Sequence, residues 1–150
     1  GPNGEELPDA VLFACTQNAV RSPMAAAIMR HLFGQFVFVD SAGVKKGDLD
    51  PLAVEVMEEI GVDLHAHHPK DFEHLEDSSF DLIISLSPEA HHRAMEMTRV
   101  MAADAEYWPT FDPTAQEGSR EQRLDAYRAV RDALMKRIKA RFAAPLAPSG

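Results

Sequence analysis

Short apolar runs alternate with segments whose apolar residues recur every three or four positions, and this alternation restricts the fold more than any other feature. The apolar runs, each predicted to be a strand, span residues 10–14, 36–40, 80–86 and 106–108. Helices are predicted at residues 22–34, 50–61, 87–101 and 119–142. Strands and helices in this order predict an α/β fold, in which right-handed crossovers place helices on both faces of a parallel sheet.

Length and composition predict one domain over residues 1–150, because the chain has 150 residues and is 45% hydrophobic. Residues 1–8 are expected to be disordered or derived from a tag, and residues 143–150 to form a tail. The first residues are acidic without an apolar stretch, and no apolar run is long enough to span a membrane. These observations predict a cytoplasmic protein without a membrane partner.

Charge argues against binding nucleic acid. The net charge is −9, and residues 119–142 hold eight basic and three acidic residues, so the remainder carries a net charge of −14. Such a chain does not attract polyanions over long range, and the basic residues of the last helix are interpreted as its solvated face. A site for an anion must therefore be local.

The turn after the first predicted strand has the composition of such a site. Cys15 ends the strand, Arg21 follows six positions later, and Ser22 with Pro23 is expected to cap the next helix. A loop of this size at a helix N-terminus can direct its amides around an anion, and the guanidinium adds a fork of donors. The predicted phosphate-binding residues are Thr16, Gln17, Asn18, Ala19, Val20, Arg21 and Ser22.

The cysteine has two interpretations. Most lone cysteines are small buried hydrophobes, which a strand-ending Cys15 also fits. A helix N-terminus and a nearby arginine instead favour the thiolate, and the combination with Arg21 and the Ser-Pro pair favours a nucleophile. Because this is the only cysteine, an internal disulfide and a thiolate metal cluster are both excluded.

Residues 11–25, and Asn18, Ser22 and Pro23 in particular, resemble the phosphate loop of the low-molecular-weight protein tyrosine phosphatases, and the similarity extends along the chain. Further similar segments are residues 41–43, residues 61–64 followed by His67, residues 81–84, and Asp112-Pro113. The resemblance implies a three-layer sandwich with a four-stranded parallel sheet, of the flavodoxin-like type, and no cofactor or metal.

The same resemblance implies a two-step mechanism through a cysteinyl-phosphate. Cys15 would attack phosphorus while Arg21 and the loop amides stabilise the equatorial oxygens. Ser22 would donate to the sulfur, and a left-handed Asn18 would be tied to Ser41, expected just after the second strand, and to His67.

Asp112 is the candidate general acid, because it follows the last predicted strand and could overhang the loop. An Asp-Pro pair is also a common turn starter. His67 is expected to support the loop rather than to catalyse. The sequence offers no second cluster of metal ligands near the remaining histidines, so a metal site is not expected.

The sequence departs from the phosphotyrosine-specific pattern at several positions. Residues 44–49 form a short loop without an aromatic residue, Thr114 and Ala115 stand where tyrosine is expected, and Val20 replaces a second loop cysteine. Stacking on a phenol ring would therefore need Trp108 or Phe111 to turn inward. Oxidised Cys15 would need an external thiol for rescue.

Three functions remain open. The first is a phosphomonoester hydrolase acting on a phosphorylated protein or small aryl phosphate, inhibited by inorganic phosphate and other oxyanions. The second is an arsenate reductase, because the short loop also resembles that of the thioredoxin-coupled arsenate reductases. Those enzymes pass electrons through further cysteines, and Ser87 stands where the first of them would be. An external thiol reductant would therefore be required. The third is a phosphate-binding module without catalytic activity.

Overall fold

The computed structural model describes residues 7–65, 67–75 and 79–143. The expectations for the two chain ends fall mostly on residues 1–6 and 144–150, which lie outside the described residues. Four parallel strands form one sheet, as expected, and their order is β2-β1-β3-β4. The strands are β1 (Ala10–Cys15), β2 (Phe38–Gly43), β3 (Leu82–Ser85) and β4 (Asp104–Tyr107).

Helices follow each strand. They are α1 (Arg21–Phe33), α2 (Pro51–Glu58), α3 (Pro88–Met97) and α4 (Arg120–Ile138), and α4 continues into a π-helical turn over Lys139–Ala143. Two short 3₁₀ turns, Phe72–His74 and Pro113–Ala115, lie in the connections. Among the described residues, no helix combines the length and the apolar character that a membrane span requires.

The central strand β1 builds a core on both faces of the sheet, since successive side chains point to opposite sides. Val11 and Phe13 are buried with the apolar residues of α1, α2 and α4. Leu12 and Ala14 are buried on the other face, where α3 covers the sheet. The molecule is therefore a three-layer α/β sandwich, which confirms the predicted fold class.

Side chains cap three of the four helices. Asp50 accepts from the amide of Leu52, and Ser87 accepts from the amide of Ala90. Ser119 forms a capping box with Gln122. The cap predicted at Ser22 is wrong: α1 begins at Arg21 with Val20 at its N-cap, and the hydroxyl of Ser22 is engaged elsewhere.

The second strand lies further along the chain than predicted. Its register pairs Phe13 with Ser41 and Cys15 with Gly43, so Ser41 lies inside β2 and not after it. Phe36, expected to begin the strand, is exposed before it. Gly43 lies so close to the loop after β1 that an added Cβ would be 2.6 Å from the Asn18 nitrogen and 2.7 Å from the Gln17 carbonyl carbon.

Three basic residues of α4 form ion pairs with carboxylates of and just after α2. Arg128 and Arg131 each donate to the carboxylate of Glu59 at 2.8 Å, and Arg120 forms an ion pair with Glu55. Hydrogen bonds from Arg128 and Arg131 lower the pKa of Glu59 to about 2. The concentration of positive charge in this segment therefore serves the contact between α4 and the residues of and just after α2.

Candidate active site

A cleft of about 360 Å³ opens at the carboxyl ends of β1 and β3, the edge at which parallel sheets usually bind ligands. Three segments form its walls: the loop and first turn after β1, the start of α3, and the connection after β4. The lining residues are Cys15, Thr16, Gln17, Ala19, Val20, Arg21, Ser87, Pro88, Glu89, Asp112 and Thr114. Most of the predicted site residues therefore come together in one cleft.

The loop over residues 16–20 is held by its carbonyl groups. The carbonyls of Cys15, Thr16, Gln17 and Ala19 accept hydrogen bonds from the amides of residues 44, 45, 47 and 50. Within the described ranges, the amides of residues 16–20 donate to no protein acceptor. A loop whose carbonyls are engaged and whose amides are free can bind an oxyanion through those amides.

The sulfur of Cys15 lies at the base of this cleft. Its Sγ is 2.9 Å from the Oγ of Ser22 and accepts from the Ser22 amide at 3.4 Å. The residue as a whole is only 2% exposed, because its Cβ side packs into the core. The amide and the hydroxyl of Ser22 therefore both contact the sulfur.

The orientation of the Ser22 hydroxyl follows from the amide of Asn18. Asn18 Oδ1 accepts from the Lys70 backbone amide at 2.9 Å, which fixes Nδ2 as the donor end. Nδ2 then donates to Ser22 Oγ at 2.8 Å and to Ser41 Oγ at 3.0 Å. Ser22 Oγ accepts in that contact, so its single hydrogen can donate to the sulfur of Cys15 at 2.9 Å or to the Ala42 carbonyl at 3.5 Å, and the sulfur is the nearer acceptor.

Asn18 itself adopts the left-handed conformation, with φ of 54°, as the family resemblance implies. It is completely buried, as are Ser22 and Ser41. Asparagine tolerates this backbone region better than most residues. The strained turn and its three side-chain hydrogen bonds are thus one unit.

Arg21 supplies the only cationic side chain among the residues that line the cleft. Its Nη1 donates to the carbonyl of Thr110 at 3.1 Å, and its Nη2 lies 3.9 Å from Asp112 Oδ2. The side chain is 11% exposed. The guanidinium is therefore held at the cleft by the same connection that carries Asp112.

Asp112 lies in the third wall, where it begins the turn Pro113–Ala115. Its Oδ1 accepts from the backbone amide of Thr114 at 3.0 Å and from the Thr114 hydroxyl at 2.7 Å. The side chain is 46% exposed. The geometry therefore combines both interpretations of this residue, a turn starter and a carboxyl group facing the cleft.

His67 lies behind the loop. Burial and the nearby charge of Lys70 lower the pKa of His67 to about 4, although a hydrogen bond to the Asn18 backbone partly opposes the decrease. Its Nε2 is buried with no hydrogen-bond partner among the described residues. His67 is thus a neutral neighbour of Asn18 and does not line the cleft.

Neither candidate aromatic side chain turns into the cleft. Trp108 is 3% exposed and packs on Phe13 and Phe142, at centroid distances of 6.1 and 6.5 Å. Phe111 is 58% exposed but lines a neighbouring groove against α4. The cleft lining contains no aromatic residue in the described part of the chain.

Sequence reasoning missed the second wall of the cleft. The Thr16 hydroxyl donates to Ser87 Oγ at 3.0 Å and lies 3.3 Å from Glu89 Oε1. Lys70 and Thr110 were also missed, because both act through backbone groups that carry no residue signature. The sequence did contain one indication of this wall: Ser87-Pro88-Glu89 follows a predicted strand, at the edge of the sheet where the site was expected.

The fold and the cleft together define a phosphatase-like enzyme, and comparisons with known proteins agree. The sequence profile described as "Low molecular weight phosphotyrosine protein phosphatase" matches residues 10–146. The chain belongs to this family.

Relatives of two kinds are similar to the chain. An arsenate reductase of Shouchella clausii is 32% identical over 130 residues, which cover 86% of this chain and 91% of that protein. Among solved structures, the tyrosine phosphatase Wzb from Escherichia coli K30 in complex with sulphate superposes with a TM-score of 0.73 at 21% identity, over 94% and 100% of the two chains. An arsenate reductase in the phosphate-binding state gives 0.70 at 25% identity, over 90% and 97%.

Proposed function

We propose that the protein is a phosphomonoester hydrolase that works through a cysteinyl-phosphate on Cys15. The observation that carries the proposal is the sulfur of Cys15, which contacts the hydroxyl and the amide of Ser22 and lines the same cleft as Arg21. Free loop amides around that sulfur suit the three equatorial oxygens of a phosphoryl group in transfer.

In the first step, the Cys15 sulfur attacks phosphorus while the bond from phosphorus to the leaving oxygen breaks. Asp112 donates its proton to that oxygen, so the leaving group departs as a neutral alcohol or phenol. In the second step a water molecule attacks phosphorus, Asp112 accepts the proton from that water, and the sulfur–phosphorus bond breaks. Phosphate leaves and both side chains return to their starting states.

Turnover of p-nitrophenyl phosphate at about pH 6 tests this mechanism. We expect Cys15→Ser to remove activity and Asp112→Asn to lower kcat by about 10²–10⁴-fold. Asp104→Asn is a matched control, because this exposed carboxylate begins β4 at the opposite end of the sheet. A wild-type rate no higher than that of Cys15→Ser would contradict the proposal, and phosphate binding without turnover would support a binding module.

Arsenate reduction is the second candidate, supported by the relatives named arsenate reductase and by the cleft without aromatic residues. Arsenate would form an adduct on Cys15 with loss of water. An external thiol would then attack the sulfur, releasing arsenite and leaving a mixed disulfide, and a second thiol would reduce that disulfide. The chain has a single cysteine, so both electrons must come from outside.

Arsenate reduction coupled to NADPH consumption, with glutaredoxin or a small thiol as donor, separates the two candidates. Turnover that requires Cys15 and exceeds the rate of phosphate-ester hydrolysis would favour the reductase. No turnover with any thiol donor would eliminate it.

A further inference from the structure

The wall formed by the start of α3 places a carboxylate at the mouth of the cleft. Glu89 lies in the first turn of α3, and its Oε1 is 3.3 Å from the hydroxyl of Thr16, the residue after the nucleophile. Thr16 in turn donates to Ser87, the N-cap of the same helix. The single Thr16 hydroxyl hydrogen can donate to either acceptor, so Glu89 lies within hydrogen-bond distance of the residue that follows the nucleophile.

The charged groups of the cleft differ in exposure. Cys15 is buried and the Arg21 side chain is 11% exposed, whereas the Asp112 side chain is 46% exposed and Glu89 is exposed. Glu89 and Asp112 are the carboxylates among the lining residues, and they belong to two different walls. A substrate therefore meets a positive base for its phosphoryl group and carboxylates around its leaving group.

The cleft offers a leaving group no aromatic surface in the described part of the chain. No aromatic residue is among the described lining residues, and Trp108 and Phe111 both face elsewhere. A flat neutral ring would gain no aromatic stacking energy there. Charge is therefore a property by which the cleft can distinguish one leaving group from another.

We propose that Glu89 makes this cleft select phosphate esters whose leaving portion carries an ammonium group over esters with a neutral aryl leaving group. The inference rests on the proposed phosphomonoesterase activity and assigns its substrate class. Asp112 has to exchange a proton with the leaving atom, so Glu89 is the carboxylate that remains available to pair with a cation.

A matched pair of substrates tests the selectivity. 4-(Aminomethyl)phenyl phosphate carries an ammonium group, and 4-methylphenyl phosphate is its neutral counterpart; released phosphate reports kcat/KM for each. We expect the wild-type enzyme to prefer the cationic substrate about two- to fivefold, the range of a partly exposed ion pair. The preference should appear mainly in KM and should shrink as salt is added.

Variants at Glu89 separate selectivity from helix stability. Glu89→Gln should bring the ratio of kcat/KM values close to one, and Glu89→Lys should invert it. Glu58→Gln removes the same charge from an exposed position on α2 and should leave the ratio at the wild-type value. A loss of activity toward both substrates in equal proportion would show a merely structural Glu89.

Failure of the proposed function and failure of the selectivity give different results. If the wild-type enzyme hydrolyses neither substrate, the proposed function fails and this inference fails with it. If it hydrolyses both with a ratio of one, or if Glu89→Gln keeps the preference, the selectivity is overturned while the phosphatase activity stands.

Discussion

Asn18 connects the conformation of the phosphate loop to the chemistry of the sulfur. Its left-handed backbone turns the loop, and its amide group binds Ser22, Ser41 and the Lys70 backbone. Because the Lys70 contact orients the amide, it also determines which way the Ser22 hydroxyl donates. One side chain therefore sets both the shape of the loop and the hydrogen bonding of Cys15.

Two substitutions of Asn18 separate these roles. Asn18→Gly keeps the backbone conformation but loses the hydrogen bonds, so we expect unfolding to become easier by about 1–3 kcal/mol. Asn18→Ala adds the cost of a left-handed alanine and should lose about 1 kcal/mol more. Urea unfolding measures both, with the exposed Gln35→Ala as the control. Equal losses for glycine and alanine would show that the turn is not strained.

At the residue scale, the sequence predicts the groups that follow one another along the chain. Cys15, Arg21 and Ser22 are spaced as a phosphate loop requires; Cys15 and Arg21 line the cleft, and Ser22 is buried against the sulfur. Glu89 could not be assigned in the same way, because its contact with Thr16 crosses 73 positions. The role predicted for Ser22 as a helix cap was wrong because the sulfur and Asn18 take its hydroxyl.

At the scale of elements, Asp50 links two helices to the loop. Its side chain caps α2 through the Leu52 amide and accepts from the Tyr127 hydroxyl of α4 at 2.6 Å. Its own amide donates to the carbonyl of Ala19 in the phosphate loop. Burial and the hydrogen bond to Asp50 raise the pKa of Tyr127, so the phenol remains a donor.

Tyr127→Phe removes this single hydroxyl. We expect a loss of about 1–2 kcal/mol in the free energy of unfolding, because the partly buried Asp50 carboxylate loses a partner. The KM for p-nitrophenyl phosphate should rise as well, since the Ala19 carbonyl is held by the same residue. Tyr107→Phe, which alters the only other tyrosine, is the matched control. Equal effects of the two substitutions would contradict the link.

The order and type of the helices and strands were predictable because periodicity and capping residues are local signals. The bounds of the strands were less predictable, because pairing with neighbouring strands decides where each strand begins and ends. β2 continues to Gly43 because its last three residues pair with β1. β3 includes only the part of its apolar run that pairs with β1, and the buried residues Phe80 and Leu86 lie outside it.

At the scale of the whole molecule, His67 makes stability depend on pH. The histidine is partly buried near the cations Lys70 and Arg30, with the Asp40 carboxylate also close. Its pKa falls from 6.5 in the unfolded chain to about 4 in the folded one. Between these values the unfolded chain binds a proton that the folded chain does not, so acidification favours unfolding.

We therefore expect the contribution of His67 to be fully present above about pH 6.5 and lost as the pH falls toward 4. Its size should be about 1–2 kcal/mol, reduced from the full linkage value because the ring is not completely buried. Urea unfolding between these pH values measures it. His67→Gln should flatten the dependence, and the exposed His65→Gln should not; an unchanged slope in His67→Gln would contradict the assignment.

The close contact of Gly43 with the loop has a consequence for how such an enzyme can diversify. The floor beneath the sulfur is made of main chain against main chain, since a single methyl group at position 43 would collide with Gln17 and Asn18. A side chain at position 43 would therefore displace the phosphate loop that carries out the reaction. The upper walls are built from side chains on separate segments. Replacing those side chains can therefore change the substrate during evolution while the reaction stays the same.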